Sequence, residues 1–436
     1  MAASLPWHFA GLMRSQWHAW SRLEALQRAK LAQVIDHAYH HVPYYRDAMD
    51  ARGIKPDEIR DSADLARLPV TTKADLLGAG REAFIADDYV PASGETLRTS
   101  GSQGMPIDIL YRRADRAWWA ALALRGWLAN GYRPHHKMLV LNDSRHAPRG
   151  RRWFEWAGLF RQVFVPIYET PEQQLELALA LRPDVIRGMT SDIRALAEAA
   201  LVRPGVRLRP RLVLTSAELM ENGTRRLIER AFGVAPVDFY GSMECGWIAS
   251  QCPARRGYHI NAECLIVELI HDGRPARPGE RGEVVVTNLH ARAMPFIRYS
   301  VGDVAVVDEQ PCTCGRGLPL IRAVEGRLVD CLTTPNGRSI SPYQVTLALE
   351  PIPGLRQYQV VQTDARHLRV RFVPGEGWGV DSDRRISTEL KALCPDFIVD
   401  SEPVAVPALD AEGKFRVVTN RWKPAGLGQP RDAAAP

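Results

Sequence analysis

No run of about eighteen consecutive apolar residues, the length a membrane-spanning helix needs, occurs in the 436-residue chain. The first twenty residues, MAASLPWHFAGLMRSQWHAW, lack both a continuous apolar segment and a small-residue cleavage site, so they do not read as a signal peptide and the expected location is cytoplasmic. Like-charged blocks are equally scarce. The 56 basic and 50 acidic residues leave a net charge of +6, spread along the chain except at Arg145, Arg149, Arg151 and Arg152, which read as a solvated loop. Nothing resembles a nucleic-acid-binding signature, and no nucleic-acid partner is expected. Internal repeats are absent. Seven cysteines, an odd number in a chain expected to stay in a reducing compartment, argue against a disulfide framework.

With 46% hydrophobic and 24% charged residues, the chain has an ordinary globular composition and enough length for two to three domains. Helical spacing predicts a helix over 21–39, with Leu23, Leu26, Ala29, Lys30, Val34 and His37 on its stripe and Pro43 ending the segment. Thr71 or Thr72 then caps a helix in LPVTTKADL (68–76). A further helix is expected over 115–130, with Ala117, Ala121, Leu124 and Leu128 apolar and Gly131 stopping it; Trp118, Trp119 and Trp127 read as core.

Between 137 and 240, short β-branched and aromatic runs (137–142, 163–168, 184–188, 211–216, 236–240) alternate with helices at 173–181 and 222–232. That alternation predicts an α/β architecture, a mostly parallel sheet flanked by helices. Ligands of such sheets gather beyond the carboxyl ends of the strands. Three polar turns fall there: 188–191, 216–219 and 240–245. Strands at 263–270, 282–289 and 303–309, joined by Gly/Pro turns, mark a β-rich module over about 258–325. The expected division is a large N-terminal domain (1–327), a small α+β C-terminal domain (328–424) and a disordered tail (425–436).

The segment 97–109, LRTSGSQGMPIDI, packs Thr99, Ser100, Gly101, Ser102 and Gly104 into six residues. Small residues allow close backbone approach, and successive N–H groups with hydroxyl donors suit an anion. The Walker pattern Gly-x-x-x-x-Gly-Lys-Ser/Thr is not present, so the turn alone proves little. Its company is more specific. TSGSQGMP (99–106), YGSME (240–244), RYSVGD (298–303), EGRLVDCLTTPNG (325–337) and EGKF (412–415) follow the order and spacing of the adenylate-forming enzymes. With HVPYYRDAM (41–49), LPVTTKADL (68–76) and the Cys/His group, the chain most resembles the phenylacetate–CoA ligase branch, which includes capsular-polysaccharide-associated relatives. The resemblance spans roughly 30–420.

That resemblance implies attack of a small carboxylic acid on the α-phosphate of ATP, giving an acyl-adenylate, followed by transfer to coenzyme A with release of AMP. A C-terminal domain that moves between the half-reactions is implied too, as is a possible homodimer. Thr99, Ser100, Gly101, Ser102 and Gly104 would cradle the departing phosphates, and Glu244 would hold Mg²⁺. Asp303 would accept from the ribose hydroxyls, with Arg327 bracing the sugar. Asp238, Phe239 and Tyr240, with Gly241, Ser242 and Met243, and the turn Ser216, Ala217, Glu218, would line the nucleotide. Lys414 would stabilise charge on the carboxylate and α-phosphate during adenylation. The acid pocket would draw on 142–146, 188–191 and 216–218, segments of small polar residues that suit an arylacetate or another modest-sized acid.

Three positions depart from the pattern: Met105 where lysine is usual, Met243 where a hydroxyl residue is usual, and Val329 where the hinge has aspartate, with Asp330 following. These leave two other readings open. One sends the activated acid to an amine, a hydroxyl or a carrier thiol; the other is a silent nucleotide-binding relative. Cys252, His259, Cys312 and Cys314 offer three thiolates and an imidazole, a tetrahedral set for a structural Zn²⁺ that the resembling branch also implies. Cys245 is the alternate ligand, and Cys264, Cys331 and Cys394 read as core or incidental.

Overall fold

The computed structural model describes residues 4–98, 107–142, 153–166, 169–308, 310–327, 330–336, 339–340, 342–349, 351–405 and 416–422. Contacts divide the chain into two units, Met1–Val324 and Glu325–Pro436. No helix among the described residues is long and apolar enough to cross a membrane.

The first unit opens with α1 (Leu5–Ser15), α2 (Trp20–His41) and α3 (Pro43–Asp50). The buried face of α2 is Leu23, Gln27, Leu31, Val34, Ile35 and Ala38, whereas Ala29, expected on the stripe, faces solvent. A polar residue completes the stripe: the Gln27 amide donates to the carbonyls of Ala262 and Leu265, each at 2.9 Å, so hydrophobicity alone misplaces the face. Pro43 begins α3 as well as following α2, because a first-turn residue needs no N–H donor. Thr72 rather than Thr71 caps α4 (Lys73–Ala79): its Oγ1 accepts from the Asp75 N–H at 3.2 Å and Asp75 answers at 2.7 Å. An antiparallel hairpin of β1 (Gly94–Arg98) and β2 (Asp108–Arg112), closed by Arg98 opposite Asp108, precedes α5 (Arg113–Ala129).

The chain then alternates through β3 (Met138–Asn142), α6 (Trp153–Trp156), β4 (Gln162–Pro166), α7 (Pro171–Leu181), β5 (Val185–Met189), α8 (Thr190–Val202), β6 (Leu212–Ser216), α9 (Asn222–Phe232) and β7 (Val237–Ser242). Strands β3 to β7 pair in parallel. Leu139, Leu141, Ile186 and Val213 face α7, α8 and α9; Val140, Val185, Leu214 and Phe239 face α5. Burial on both faces explains why these strands read as continuous apolar runs. Helix α8 was not foreseen, since the polar turn at its start masked the alanine-rich stripe of Ile193, Leu196, Ala197 and Ala200 behind it.

The β-rich module does not form a sheet of its own. Strands β8 (Gly246–Gln251), β9 (Tyr258–Ile260), β10 (Leu265–His271), β11 (Arg274–Pro275), β12 (Arg281–Asn288), β13 (Tyr299–Asp308) and β14 (Leu320–Arg327) extend the parallel half into one twelve-stranded sheet, in the order β11-β10-β12-β13-β14-β9-β8-β7-β6-β5-β3-β4. A buried ion pair lies behind this sheet. Arg125 of α5 meets Glu263 at 2.5 Å and Asn261 at 2.5 Å, and Ser15 of α1 donates to the same Glu263 carboxylate at 2.7 Å.

In the second unit, β15 (Leu332–Thr333) and β16 (Ser339–Ile340) precede α10 (Pro342–Leu349), and a four-stranded sheet runs β19-β18-β17-β20. Its strands are β17 (Leu355–Gln362), β18 (His367–Pro374), β19 (Ile398–Pro403) and β20 (Val418–Asn420). Helices α10 and α11 (Ser382–Leu393) pack Val345, Leu349, Ile386 and Leu390 against Val360, Val370 and Phe372. The segment 425–436, expected as a disordered tail, lies outside the described residues.

Candidate active site

Register places the strand ends on one rim. Met189 lies opposite Ser216, and Ser216 opposite Phe239, so β5 and β6 finish level with one another and β7 runs three residues beyond them, to Ser242. The strand ends supply Ser216, Phe239, Tyr240, Gly241 and Ser242, and the turns that follow supply Ala217, Glu218, Met243 and Glu244. Ala217 holds φ +72°, a left-handed conformation disfavoured for a residue with a β-carbon and common at ligand-contacting turns. Glu218 is turned towards α8: its carboxylate accepts from the Ser191 N–H at 2.6 Å and the Ser191 hydroxyl at 2.9 Å. Asp192, next along, has a carboxyl pushed up to about 7 by burial and by the nearby Glu218 charge.

Tyr240 points across the sheet and donates to Asp303 Oδ2 at 2.7 Å, bringing the β13 carboxylate to the rim. Glu244 is half-buried and accepts from the Tyr299 hydroxyl at 3.2 Å. Tyr111 of β2 reaches the backbone of the same turn, with its hydroxyl 2.5 Å from the Met243 carbonyl and 2.7 Å from that of Glu244. Close packing shapes the turn as well. Gly246 sits at φ +76°, and a β-carbon there would lie 2.4 Å from Trp119 Nε1.

Asp238 stands apart from this group. Strand alternation points it away from Phe239, into the interior, where it is 5% exposed and accepts from Thr215 Oγ1 and Tyr258 Oη, each at 2.8 Å. Burial pushes its carboxyl up to about 6, although the Tyr258 and Thr215 hydrogen bonds oppose the shift. Its geometry is that of a polar strut beneath the rim. Thr99, Ser100, Gly101, Ser102, Gly104, Met105, Val329 and Lys414 lie outside the described residues, as does the side chain of Arg327. Tyr111 and Tyr299 were not singled out from the sequence. Tyr299 carries a signal, since it falls within RYSVGD; Tyr111 sits in an unremarkable strand and carries none.

A second constellation can hold a metal ion. The ligand atoms of Cys252, His259, Cys312 and Cys314 lie within 4.8 Å of one another. The Cys252 and Cys312 sulfurs are 3.6 Å apart, and Cys314 Sγ is 3.2 Å from His259 Nε2. His259 Nδ1, 3.4 Å from the Leu318 carbonyl, is placed to donate to it, an arrangement that aims Nε2 at the sulfurs. Burial lowers the imidazole to about 4, so it stays neutral and able to ligate at neutral pH. Cys245 is not in this group; it sits beneath the Glu244 turn, its N–H bonded to Ser242 Oγ at 3.1 Å. His37, His41 and Asp88 also cluster, but Asp88 is paired with Arg112 at 2.6 Å and His37 with the Arg292 carbonyl at 3.0 Å.

The site thus sits on a doubly covered parallel sheet, continued by antiparallel strands, that gathers carboxylates and tyrosines at its carboxyl rim. The fold matches the crystal structure of 2-hydroxyisobutyryl-CoA ligase in its postadenylation state with a TM-score of 0.76 at 20% identity, over 94% of this chain and 91% of that one. The sequence is 30% identical over 355 residues to the phenylacetate–coenzyme A ligase of Thermus thermophilus, covering 78% of each chain. It is 28% identical over 427 residues to the Aromatoleum evansii enzyme of the same name, over 92% of this chain and 95% of that one. The chain belongs to the phenylacetate–coenzyme A ligase family, and it is an enzyme of the AMP-forming acid–thiol ligase class. No family model matches the sequence.

Proposed function

We propose that this enzyme converts a small carboxylic acid, of arylacetate size, and ATP into an acyl-adenylate and pyrophosphate, then passes the acyl group to coenzyme A. The observation that carries the reading is the meeting of Glu244 and Asp303 at one rim, each carboxylate held by a buried tyrosine, in a chain 30% identical to a phenylacetate–coenzyme A ligase. Glu244 is a suitable magnesium ligand: it is partly exposed and its described partner is a neutral donor, so its charge is not cancelled. When bound, magnesium would neutralise charge on the phosphate oxygens. Asp303, oriented by Tyr240, takes the ribose hydroxyls, and Phe239, Tyr240 and the 216–218 turn line the base. The glycine-rich turn Thr99–Gly104 cradles the phosphates, Arg327 braces the sugar, and Lys414, on a C-terminal lid over 328–424, stabilises charge in the adenylation step.

A structural zinc ion on Cys252, His259, Cys312 and Cys314 belongs to the proposal. The closeness of four buried or half-buried donors, three of them sulfur, supports it, and four protein ligands leave no open position for catalysis. The proposal also takes the enzyme as cytoplasmic and homodimeric, the latter checked by sedimentation.

The test is pyrophosphate release from ATP and magnesium against a panel of carboxylic acids, with and without coenzyme A, for wild type and Lys414→Ala. Release that needs one acid and Lys414, with thioester formed on adding coenzyme A, is the expected result. Release without any thioester would move the acceptor to an amine, a hydroxyl or a carrier thiol. Silence across the panel with ATP still bound would overturn the enzyme reading.

A further inference from the structure

Two tyrosines converge on the Glu244 turn, one on its backbone and one on its carboxylate. Tyr111 is fully buried, with its ring edge-on to Trp119 at 5.2 Å, and its hydroxyl proton is shared between the Met243 and Glu244 carbonyls. It belongs to β2, where it pairs with Glu95 of β1, and the chain between those two strands is the glycine-rich turn. Tyr299 is 2% exposed and donates to the Glu244 carboxylate itself. Its strand is tied in turn to Thr71, which donates its N–H to the Arg298 carbonyl and accepts from the Ser300 N–H, both at 2.8 Å.

The choice of phenol has a physical reason. A phenol keeps its proton at neutral pH, so each hydroxyl serves as a donor to the Glu244 turn. A lysine or arginine could reach the same oxygens, but its charge would neutralise the carboxylate that a divalent cation needs. A serine would be too short. A tyrosine supplies a long, rigid and uncharged donor.

We propose that Tyr111 and Tyr299 are positioning residues for metal–nucleotide binding: Tyr299 orients the Glu244 carboxylate, and Tyr111 ties the Glu244 turn to the hairpin that carries the glycine-rich turn. The inference rests on the reading of Glu244 as the magnesium ligand. Removing either hydroxyl leaves the ring in place but lets the carboxylate or its backbone drift, so the cost falls on the magnesium-dependent part of ATP binding.

The experiment measures ATP dissociation constants by calorimetry on the full-length chain, in excess magnesium chloride and in EDTA, for wild type, Tyr111→Phe, Tyr299→Phe and Glu244→Gln. Melting temperatures are recorded alongside. In each Phe variant the gain in ATP affinity conferred by magnesium shrinks about tenfold, the loss expected for one hydrogen bond to a charged or polarised group, while affinity in EDTA stays at the wild-type value. A lower melting temperature with the magnesium gain intact would make the hydroxyls purely structural and overturn the inference; so would an equal loss in magnesium and in EDTA. The two Phe variants are scored separately, so a folding failure in one leaves the other to decide. Glu244→Gln tests the parent reading by itself: if it keeps the full magnesium gain, Glu244 is not the ligand, whatever the tyrosines do.

Discussion

Tyr240 of β7 donates to Asp303 of β13 across 2.7 Å, joining the last parallel strand to a strand of the antiparallel half at the level of the rim. A charge-assisted bond of this kind fixes which way the carboxylate faces. In Tyr240→Phe the ring remains and Asp303 loses this donor. With Asp303 binding the ribose as proposed, steady-state kinetics should show the KM for ATP raised about tenfold with kcat changed far less, since a sugar held there would be held alike in the ground and transition states. A fall in kcat with KM unchanged would place Tyr240 in the chemical step instead.

The Arg125–Glu263 pair makes a stability prediction. Both side chains are buried, 5% and 2% exposed, and Glu263 Oε2 has no hydrogen-bond partner among the described residues. Arg125→Met therefore strands a carboxylate in the interior. Denaturant unfolding should give a loss of about 3–5 kcal/mol. Adding Glu263→Leu to that variant should recover much of the loss, because no unpaired charge then remains. If the double variant is no better than the single one, packing rather than charge sets the cost.

Asp238 predicts a pH dependence. Its carboxyl titrates at about 6 in the folded chain, well above the ordinary aspartate value of 3.8. Below the unfolded value both states hold the proton. Between the two values only the folded state holds it, so stability falls as pH rises through that window and levels off above about 6. Asp238→Asn removes the titration. The stability of the variant relative to wild type, measured by urea unfolding at pH 4.5 and pH 7, should shift in favour of the variant by about 2 kcal/mol as pH rises. The lost acceptor oxygen adds a constant penalty that does not change the slope. A flat difference would show that Asp238 titrates normally.

The strand–helix alternation of 137–240 was legible because strands buried on both faces have little choice but to be continuously apolar. In the second unit, β18 shows the alternation of a half-buried strand, with Leu368 and Val370 buried between the exposed His367 and Arg369 and the half-buried Arg371. Glu244 and Asp303 were singled out because they fall within YGSME and RYSVGD, motifs of the family the chain resembles, and not from any local pattern of their own. What the sequence hid was tertiary. Gln27 reads as polar yet is buried, because its partners are carbonyls more than two hundred residues away. Asp238 sits beside two rim residues in sequence but faces the interior, a matter of strand parity that shows only once the register is known. Tyr111 acts on a turn 132 residues distant, and no local pattern signals that contact.

The cysteine group predicts a metal-dependent clasp on the N-terminal arm. The CTCGRG loop that carries Cys312 and Cys314 also grips the turn between α1 and α2. The Gly317 N–H donates to the Gln16 carbonyl at 2.9 Å, Arg316 Nε donates to Gln16 Oε1 at 2.8 Å, and the Arg316 guanidinium lies 4.9 Å from the Trp17 ring centre. A β-carbon at Gly317 would lie 1.8 Å from the His18 carbonyl oxygen, so the approach admits only glycine. Metal bound by these four ligands would hold the loop in the shape that fits the turn. Elemental analysis should find about one zinc per chain in the wild type and less in Cys312→Ser and Cys314→Ser. Chelation should lower the melting temperature and open the 16–19 turn to limited proteolysis, both reversed by added zinc. Gly317→Ala should release the same turn to protease while zinc content stays near one, because it breaks the clasp without touching a ligand. If zinc is absent from the purified wild type and adding it changes neither melting nor proteolysis, the four side chains form only a reduced thiol cluster.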